Sequence, residues 1–430
     1  GAETISWSPS LGSTLTWPTS ITWNGGSAPT LASANSYSLT GQVFNLVTAD
    51  GGTTWYGYEE VNNSSLQPLE LWAWGYNDWG NLGVNNKSKY SSPTQIPGNW
   101  TSININGFNF YVSSGRKSDK TLWMWGYGFN GILGQNNQAY QSSPVQIPGT
   151  NWSAAMQNSQ NIAAGVKEDG TLWAWGSNSA GQLGQNEAPG GGTTYYSSPV
   201  QIPGTTWGTT LGKLAISTQT AAAIKTDGTL WTWGTGTAGG LGHNNQTAYS
   251  SPVQVGSSTD WATVRSYAYA HQAIKTDGTM WTWGYNVYGM LGHNDAAPAH
   301  KSSPIQIPGT TWKAGSQSGG KYTMYATKTD GTLWAWGGNG YGQLGQSTFS
   351  GPGQRRSSPV QIPGTDWDIV GGNETNALAL KTDGTLWGWG NNDDGNLGLN
   401  DRTQYSSPVQ IPGTWTDIGL GGKWGYALKA

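Results

Sequence analysis

The sequence contains no cysteine, few charged residues and no long apolar run. Without cysteine the chain can form no disulfide, no zinc–thiolate site and no thiol nucleophile. Charged residues make up only 10% and the formal net charge is −3, whereas a protein that neutralises nucleic-acid phosphates needs a basic surface. No apolar stretch approaches the roughly 20 residues that cross a bilayer. The composition therefore predicts no nucleic-acid partner and no membrane insertion.

Residues suited to catalysis are also scarce. The chain has four histidines, and no Ser/His/Asp spacing stands out that could supply a nucleophile with a base. His243 and His293 fill the same place in two L-G-H-N phrases, which predicts a role in loop structure. The acidic run "NNDDGNLG" (391–398) lacks the alternating ligands and final Glu of a calcium loop. We therefore predict a protein that is not an enzyme and has no catalytic residue, metal site or cofactor.

Tryptophan is abundant instead, at 27 residues, and most of it belongs to a repeat. The phrase [LM]-W-x-W-G occurs seven times at intervals of 50 to 58 residues, beginning at Leu71, Leu122, Leu172, Leu230, Met280, Leu333 and Leu386. Each copy is followed by S-S-P and then by a third tryptophan, at Trp100, Trp152, Trp207, Trp261, Trp312, Trp367 and Trp415. Three markers that keep one order through seven copies indicate a repeat architecture.

Each unit has the pattern of short β-strands. In "AAAIKTDGTLWTWG" (221–234) two apolar runs flank an Asp-Gly pair, which supplies the positive φ that a hairpin turn needs. The following S-S-P-V-Q-I-P phrase has prolines at both ends, as an edge strand tolerates. About 50 residues and four short strands per unit are typical of a β-propeller blade. In the second unit Lys120 replaces the turn glycine, which predicts roughly 1 kcal/mol of strain or a different turn.

These motifs resemble the regulator of chromosome condensation type repeat. The resemblance lies in L-W-x-W-G, the x-N-x-x-G-x-L-G that follows it and the A-[LI]-K-x-D-G that precedes it, over about residues 70–430. It implies an all-β fold, a seven-bladed β-propeller. Many members carry a histidine before the A-L-K strand. Here only His271 lies near that place, shifted by about one residue, so the contacts of that histidine are not transferred.

The two ends of the propeller sequence complete one repeat between them. The first L-W-x-W-G has no A-L-K before it, and the final A-L-K (427–429) has no L-W-x-W-G after it. We expect the C-terminal strand, about Trp424–Lys429, to pair with Glu70–Gly75 and close the ring without an open sheet edge. The residues predicted to form this closure are Leu71, Trp72, Trp74, Tyr426 and Leu428.

The repeated tryptophans are predicted to pack between blades, because periodicity in a repeat reports packing. They account for 21 of the 27. Carbohydrate stacking and ultraviolet sensing are the functional alternatives. A plant ultraviolet-B photoreceptor with this family's fold uses tryptophans beside arginines, and here no arginine recurs next to them. Trp79 and Trp424 lie outside the repeated positions and are predicted to be freer to contact a partner.

The connection between L-G-x-N and S-S-P varies most in length. It is long in the third (Glu187–Tyr196), fifth (Asp295–Lys301) and sixth (Ser347–Arg356) units. Equivalent loops of a propeller emerge on one face, so a partner-binding surface is expected there. The candidate residues are Tyr195, Tyr196, His300, Lys301, Phe349, Arg355 and Arg356. The alternative is that these are insertions tolerated without function.

The first 69 residues do not follow the repeat and are predicted to be a separate β-rich attachment or association module, before a propeller at 70–430. The apolar alternation around the D-G-G turn in Gln42–Val61 predicts a hairpin. The phrases T-W-P, W-x-G-G and D-G-G-T-T-W-Y-G resemble a β-module of tail-fibre and other virion proteins of tailed bacteriophages. That resemblance covers about 45 residues.

Together these features predict a non-enzymatic virion protein of a tailed bacteriophage, as a fibre, decoration or receptor-binding component. The expected partners are other virion proteins, or further copies of the chain, at the N-terminal module, and a host-surface protein or glycan at the propeller. One alternative is a bacterial secreted or surface propeller, extracellular or on the cell surface, that binds a protein or glycan. The other, implied by the activity of the founder of the resembled family, is a regulator similar to a guanine-nucleotide exchange factor.

Overall fold

The computed structural model describes the backbone of residues 3–6, 21–23, 43–48 and 55–60, and residues 69–103, 111–187, 194–267, 269–295, 299–320, 322–348 and 355–429 in full. The contacts divide the chain into two units between Gln67 and Pro68, close to the predicted boundary.

The first unit contains a four-stranded sheet of β1 (Glu3–Ser6), β2 (Ile21–Trp23), β3 (Val43–Thr48) and β4 (Trp55–Glu60), in the order β1-β3-β4-β2. Strands β3 and β4 are antiparallel, with Val43 opposite Glu60 and Thr48 opposite Trp55. They are the two arms of the predicted hairpin, whose turn lies outside the described residues. Strand β2 runs parallel to β4.

The second unit is a seven-bladed β-propeller, as predicted. Blade 1 contains β30 (Asp417–Leu420), β31 (Trp424–Lys429), β5 (Leu69–Gly75) and the start of β6 (Tyr90–Ile103). Blade 2 contains the end of β6, β7 (Val112–Lys117), β8 (Leu122–Gly126) and β9 (Gln141–Gln146). Because β6 serves both blades, they form one seven-stranded sheet.

The other five blades are separate four-stranded antiparallel sheets. Blade 3 contains β10 (Trp152–Asn158), β11 (Ile162–Lys167), β12 (Leu172–Ser177) and β13 (Tyr195–Ile202). Blade 4 contains β14 (Leu214–Ile216), β15 (Thr220–Ile224), β16 (Leu230–Gly234) and β17 (Tyr249–Gln254). Blade 5 contains β18 (Trp261–Tyr267), β19 (Ala270–Lys275), β20 (Met280–Gly284) and β21 (Lys301–Ile307).

Blade 6 contains β22 (Ser318–Gly319), β23 (Thr323–Thr327), β24 (Leu333–Gly338) and β25 (Arg355–Ile362). Blade 7 contains β26 (Trp367–Gly372), β27 (Asn376–Lys381), β28 (Leu386–Gly390) and β29 (Tyr405–Ile411). Within the described residues the helical structure is limited to two short 3-10 turns, Phe129–Gly131 and Thr237–Gly239.

The predicted ring closure is confirmed. Strand β31 pairs antiparallel with β5, from Trp424 opposite Gly75 to Lys429 opposite Glu70. Blade 7 is also fastened to blade 1 by a hydrogen bond of 3.0 Å from the Trp74 indole N–H to the carbonyl of Asn396. Strand β5 is therefore paired on both sides, with β31 and with β6, and lacks the exposed edge that it would have in an open repeat.

The Asp-Gly turns form as expected. In blade 4 the Asp227 carboxylate accepts hydrogen bonds from the backbone N–H (3.0 Å) and hydroxyl (2.7 Å) of Thr229, and these bonds lower the pKa of Asp227. Gly228 has φ of +79°. Lys120 adopts the same left-handed conformation, with φ of +64°, so the strained of the two predicted alternatives occurs.

Candidate binding surface

The second tryptophan of each L-W-x-W-G phrase joins one blade to the blade before it. Trp233 is fully buried, and its indole N–H donates a hydrogen bond of 2.8 Å to the Gln182 carbonyl of the preceding blade. The same type of bond is made by Trp74, Trp125, Trp175, Trp233, Trp283, Trp336 and Trp389. These contacts confirm the predicted packing role and fix the loops that follow each L-W-x-W-G strand.

The other two repeated tryptophans are also occupied by packing. Trp207 is buried, whereas Trp231 is half-buried and donates from its indole to the Thr229 hydroxyl at 2.9 Å. The ammonium of Lys225 lies 5.1 Å from the centre of the Trp207 ring and 3.9 Å from that of Trp231, in cation–π contact. Six blades show this arrangement, with the lysines Lys117, Lys167, Lys225, Lys275, Lys328 and Lys381.

One face of the propeller, which we call the loop face, carries most exposed aromatic side chains. It is formed by the connections that follow each L-W-x-W-G strand and those that enter each A-L-K strand. Of the seven large apolar side chains exposed among the described residues, five lie here: Phe129 (49%), Tyr140 (46%), Tyr341 (42%), Tyr195 (36%) and Tyr288 (36%). The opposite face holds the Asp-Gly turns.

The largest group of these residues lies on blades 1 and 2 and is called here the aromatic cluster: Trp79, Tyr111, Tyr127, Phe129 and Tyr140. The Trp79 ring centre is 4.9 Å from that of Tyr127 and 5.5 Å from that of Tyr140, both edge to face. Tyr127 and Tyr140 are stacked at 5.0 Å with 18° between their planes. Phe129 lies 5.8 Å from Tyr127. None of the five occupies a repeated tryptophan position.

Backbone contacts hold the aromatic cluster in place. The Tyr127 N–H donates to the Tyr111 carbonyl at 2.9 Å. Gly128 allows the chain to pass close to the Ala139 carbonyl, since a Cβ at position 128 would lie 2.0 Å from that oxygen. The Gln138 side chain accepts from the Asn130 N–H at 3.2 Å and donates to the Tyr195 hydroxyl of blade 3 at 3.2 Å. The cluster is thereby connected to a residue that the sequence predicts as a contact.

The predicted contact residues fall into two places. Tyr195 is exposed beside the aromatic cluster, whereas Tyr196 is half-buried and its hydroxyl donates to Glu187 at 2.6 Å. His300 is exposed on blade 5, where it stacks on Tyr285 at 5.1 Å.

Three further candidates lie on blades 5 and 6. Lys301 forms an ion pair of 2.7 Å with Asp295. The Arg355 guanidinium donates to the Val287 carbonyl at 3.0 Å, next to Asn286, whose N–H donates to His300 Nδ1. Arg356 is exposed.

Phe349 lies outside the described residues. The described candidates do not form one site, because Tyr195 is on blade 3 and His300 is on blade 5.

One prediction about contact residues is wrong. Trp424 is fully buried, because it begins β31 opposite Gly75, inside the seven-stranded sheet that closes the ring. Its ring packs against Gly421, which has no side chain. Trp79, by contrast, is partly exposed within the aromatic cluster. Sequence reasoning missed Tyr111, Tyr127, Phe129 and Tyr140. The available signal was that Tyr111, Tyr127 and Phe129 stand where blades 3, 4 and 7 have small or polar residues.

The two histidines of the L-G-H-N phrases make hydrogen bonds within their own blades. His243 and His293 each place Nε2 3.0 Å from a threonine hydroxyl, Thr232 and Thr282, in the two blades whose phrase is L/M-W-T-W-G. Burial lowers the pKa of both imidazoles. This agrees with the predicted role in loop structure.

The acidic loop of blade 7 is likewise engaged in ion pairs. Asp394 pairs with Lys89 at 2.9 Å and Lys423 at 3.4 Å. Over the described residues no three acidic or histidine side chains converge as metal ligands. The described residues also include no helix long and apolar enough to span a membrane.

Comparison with known proteins agrees with the observed architecture. Residues 70–427 match the family model of the RCC1-like domain. The structure resembles a chain in the crystal structure of Kap60 bound to yeast RCC1 (Prp20), with a TM-score of 0.72 and 17% identity over 84% of this chain and 88% of that one. It also resembles Prp20p from Saccharomyces cerevisiae, with a TM-score of 0.72 and 17% identity over 84% of this chain and 92% of the other.

Human WBSCR16 gives a TM-score of 0.70 and 19% identity over 84% of this chain and 98% of its own. No curated protein sequence matches the chain. At these identities the solved structures establish the fold alone, whereas the family model extends over most of the sequence. This chain is therefore a member of the RCC1-like domain family.

Proposed function

We propose that this protein is a non-enzymatic binding protein whose propeller presents its loop face to a macromolecular partner. The observation that carries the proposal is the placement of exposed aromatic side chains on this face, at positions that the repeat does not require. Phe129 and Tyr140 are both nearly half exposed beside Trp79. Contiguous exposed apolar surface on a soluble domain marks an interaction site.

The rigidity of the loop face supports this proposal. Each loop that follows an L-W-x-W-G strand is held by an indole from the next blade, as Trp175 holds the Ile132 carbonyl at 2.7 Å. In five of the seven loops an asparagine also fixes the backbone, as Asn178 accepts from the Leu183 N–H at 3.1 Å, whereas blades 2 and 4 have Gly128 and Gly236 at this position. A partner that binds such a surface orders few additional groups, so less entropy opposes binding.

An adsorption experiment tests the loop face. Fluorescently labelled full-length protein is incubated with candidate host bacteria, and bound protein is measured by flow cytometry. Changing both Phe129 and Tyr140 to serine is expected to reduce binding at least tenfold. The matched control is Ile305→Ser, which removes a side chain exposed by 38% on the outer strand β21. Equal binding by the double variant and the wild type would contradict the proposal.

We further propose that the protein is a component of a tailed-bacteriophage particle, attached through residues 1–69 to other virion proteins or to copies of itself. The support is the sequence resemblance of that segment, whose side chains lie outside the described residues. Mass spectrometry of gradient-purified particles tests this proposal. Absence of the chain from particles, together with its presence in the bacterial culture medium or on the cell surface, would favour a bacterial secreted or surface protein.

A second candidate function is guanine-nucleotide exchange on a small GTPase. It is favoured by the fold shared with Prp20p, whose structure was described together with its binding properties to Gsp1p and histones. The test is the release of a fluorescent GDP analogue from a Gsp1p-type GTPase with the full-length protein added at micromolar concentration. A release rate equal to the spontaneous rate would exclude this candidate.

A further inference from the structure

The aromatic cluster continues onto a third blade, so the exposed rings form a row. Trp79 belongs to blade 1, Phe129 and Tyr140 to blade 2, and Tyr195 to blade 3. The last step is made by Gln138, whose amide donates to the Tyr195 hydroxyl at 3.2 Å. Within the cluster, neighbouring ring centres are 4.9 to 5.9 Å apart. An extended ligand that presents repeated flat faces fits this row better than a compact one.

The rings of the row are aromatic and uncharged. Its rings come from Trp, Tyr and Phe, and the polar groups beside them are phenols and the amides of Asn137 and Gln138, both exposed. Sugar rings have the complementary character, because their C–H faces pack on aromatic rings while their hydroxyls bond to amides and phenols. Tyrosine suits such a contact since its ring is apolar and its hydroxyl is polar.

Charge and aliphatic surface distinguish a sugar from other partners here. Within the described part of the chain, one cation approaches the rings of the row: the Lys87 ammonium is 5.9 Å from the Tyr140 ring centre. Asp78 is exposed near Lys89, at 3.9 Å. The exposed large aliphatic side chains among the described residues, Leu211 and Ile305, lie elsewhere. An acidic polymer would need several cations, and protein hot spots combine aromatic residues with arginine.

We propose that the row formed by Trp79, Tyr127, Phe129, Tyr140 and Tyr195 binds a neutral oligosaccharide chain. This inference rests on the proposed binding function of the loop face and specifies its partner. The sugar rings pack on the exposed faces of Phe129 and Tyr140, and Gln138 and the phenols bond to the hydroxyls. Tyr195 contacts a sugar unit further along the chain, so it contributes to the binding of longer oligosaccharides only.

The test measures binding of full-length protein to a glycan array with neutral oligosaccharides of two to six units (gluco-, manno- and N-acetylglucosamine series) and acidic ones with uronic or sialic acid. Wild type is expected to bind at least one neutral hexasaccharide with the same Kd at 50 and 500 mM NaCl. Phe129→Ala with Tyr140→Ala is expected to raise Kd at least tenfold, and Tyr195→Ala to weaken the hexasaccharide but not the disaccharide. Ile305→Ala, which removes a side chain exposed by 38% on the outer strand β21, is the control and leaves Kd unchanged.

Three results would overturn the inference: no neutral glycan bound by wild type, binding restricted to acidic glycans, or an unchanged Kd in the double variant. Unfolding midpoints equal to wild type establish that the exposed substitutions leave the fold intact. If the same pair of positions controls adsorption to cells while no neutral glycan binds, the partner is a protein or an acidic glycan. In that case only this inference fails. If neither assay responds, the proposed function of the loop face fails with it.

Discussion

Replacing Leu428 with alanine tests the closure of the ring. Leu428 is fully buried in β31, opposite Leu71 of β5. Leu380 holds the equivalent position inside blade 7, opposite Leu386, and is 3% exposed. A buried leucine changed to alanine costs about 2–5 kcal/mol, through lost transfer energy and the cavity left behind. Because the two sites are equivalent, Leu428→Ala and Leu380→Ala should destabilise by similar amounts.

Removing the whole closing segment should have a larger effect. Deletion of 425–430 takes away the buried side chains of Tyr426 and Leu428 and leaves β5 with an unpaired edge. The two side chains alone correspond to about 5–10 kcal/mol, comparable with the total stability of about 5–15 kcal/mol of a typical domain. We expect the deleted protein to lose its cooperative unfolding transition.

Two assays measure these effects: equilibrium unfolding in urea, followed by tryptophan fluorescence, and thermal unfolding, followed by calorimetry. The closure would be refuted if Leu428→Ala left the midpoint unchanged while Leu380→Ala lowered it. An unchanged thermal transition after the deletion would refute it independently.

Three other predictions concern the propeller core and its turns. Burial lowers the pKa of His271 to about 3, so below pH 6.5 the unfolded chain binds a proton that the folded chain does not. Between pH 7 and 4 the free energy of unfolding of wild type should therefore fall by about 3 kcal/mol more than that of His271→Ala. Urea titration at each pH measures this difference, and equal losses would contradict it. Trp233→Phe should cost about 2–3 kcal/mol, through a lost buried hydrogen bond and a cavity, whereas Trp231→Phe, at a half-buried ring of the same phrase, should cost less than about 1 kcal/mol; comparable unfolding midpoints would argue against the interblade role. Lys120→Gly should be about 1 kcal/mol more stable than Lys120→Ala, because both lose the lysine side chain but only glycine relieves the positive φ; identical midpoints would show that the turn is unstrained.

The sequence was sufficient for the fold because each repeated marker has one geometric role. The Asp-Gly pair forms the turn, and the second tryptophan reaches the preceding blade. The asparagine after W-G, present in five of the seven blades, fixes the loop, as Asn392 does for the Leu397 N–H at 2.9 Å. A marker that is missing at one end and present at the other also indicated the pairing of β31 with β5. The direction of the indole hydrogen bonds was not predictable, since it depends on the order in which blades pack.

The candidate surface was only partly predictable. Tyr195 was identified from its long loop, but the aromatic cluster combines residues that are distant in sequence, such as Trp79 and Tyr140, and the packing of blade 2 beside blade 1 brings them together. Loop length did not indicate the aromatic cluster, whose five residues lie outside the three long loops. The Arg355 guanidinium donates to the Val287 carbonyl, and Lys301 forms an ion pair with Asp295 of its own loop. These two side chains therefore stabilise the loops themselves.

The indole hydrogen bonds between blades all run in the same rotational sense, from a blade to the one before it. Each blade therefore provides the carbonyl acceptor for the blade that follows it, and in a closed ring every blade also has such a blade before it. Disruption of one loop would first destabilise the blade that follows it. In a closed ring there is no terminal blade at which this destabilisation would end. A linear array of the same repeats would lack this mutual stabilisation at its two ends.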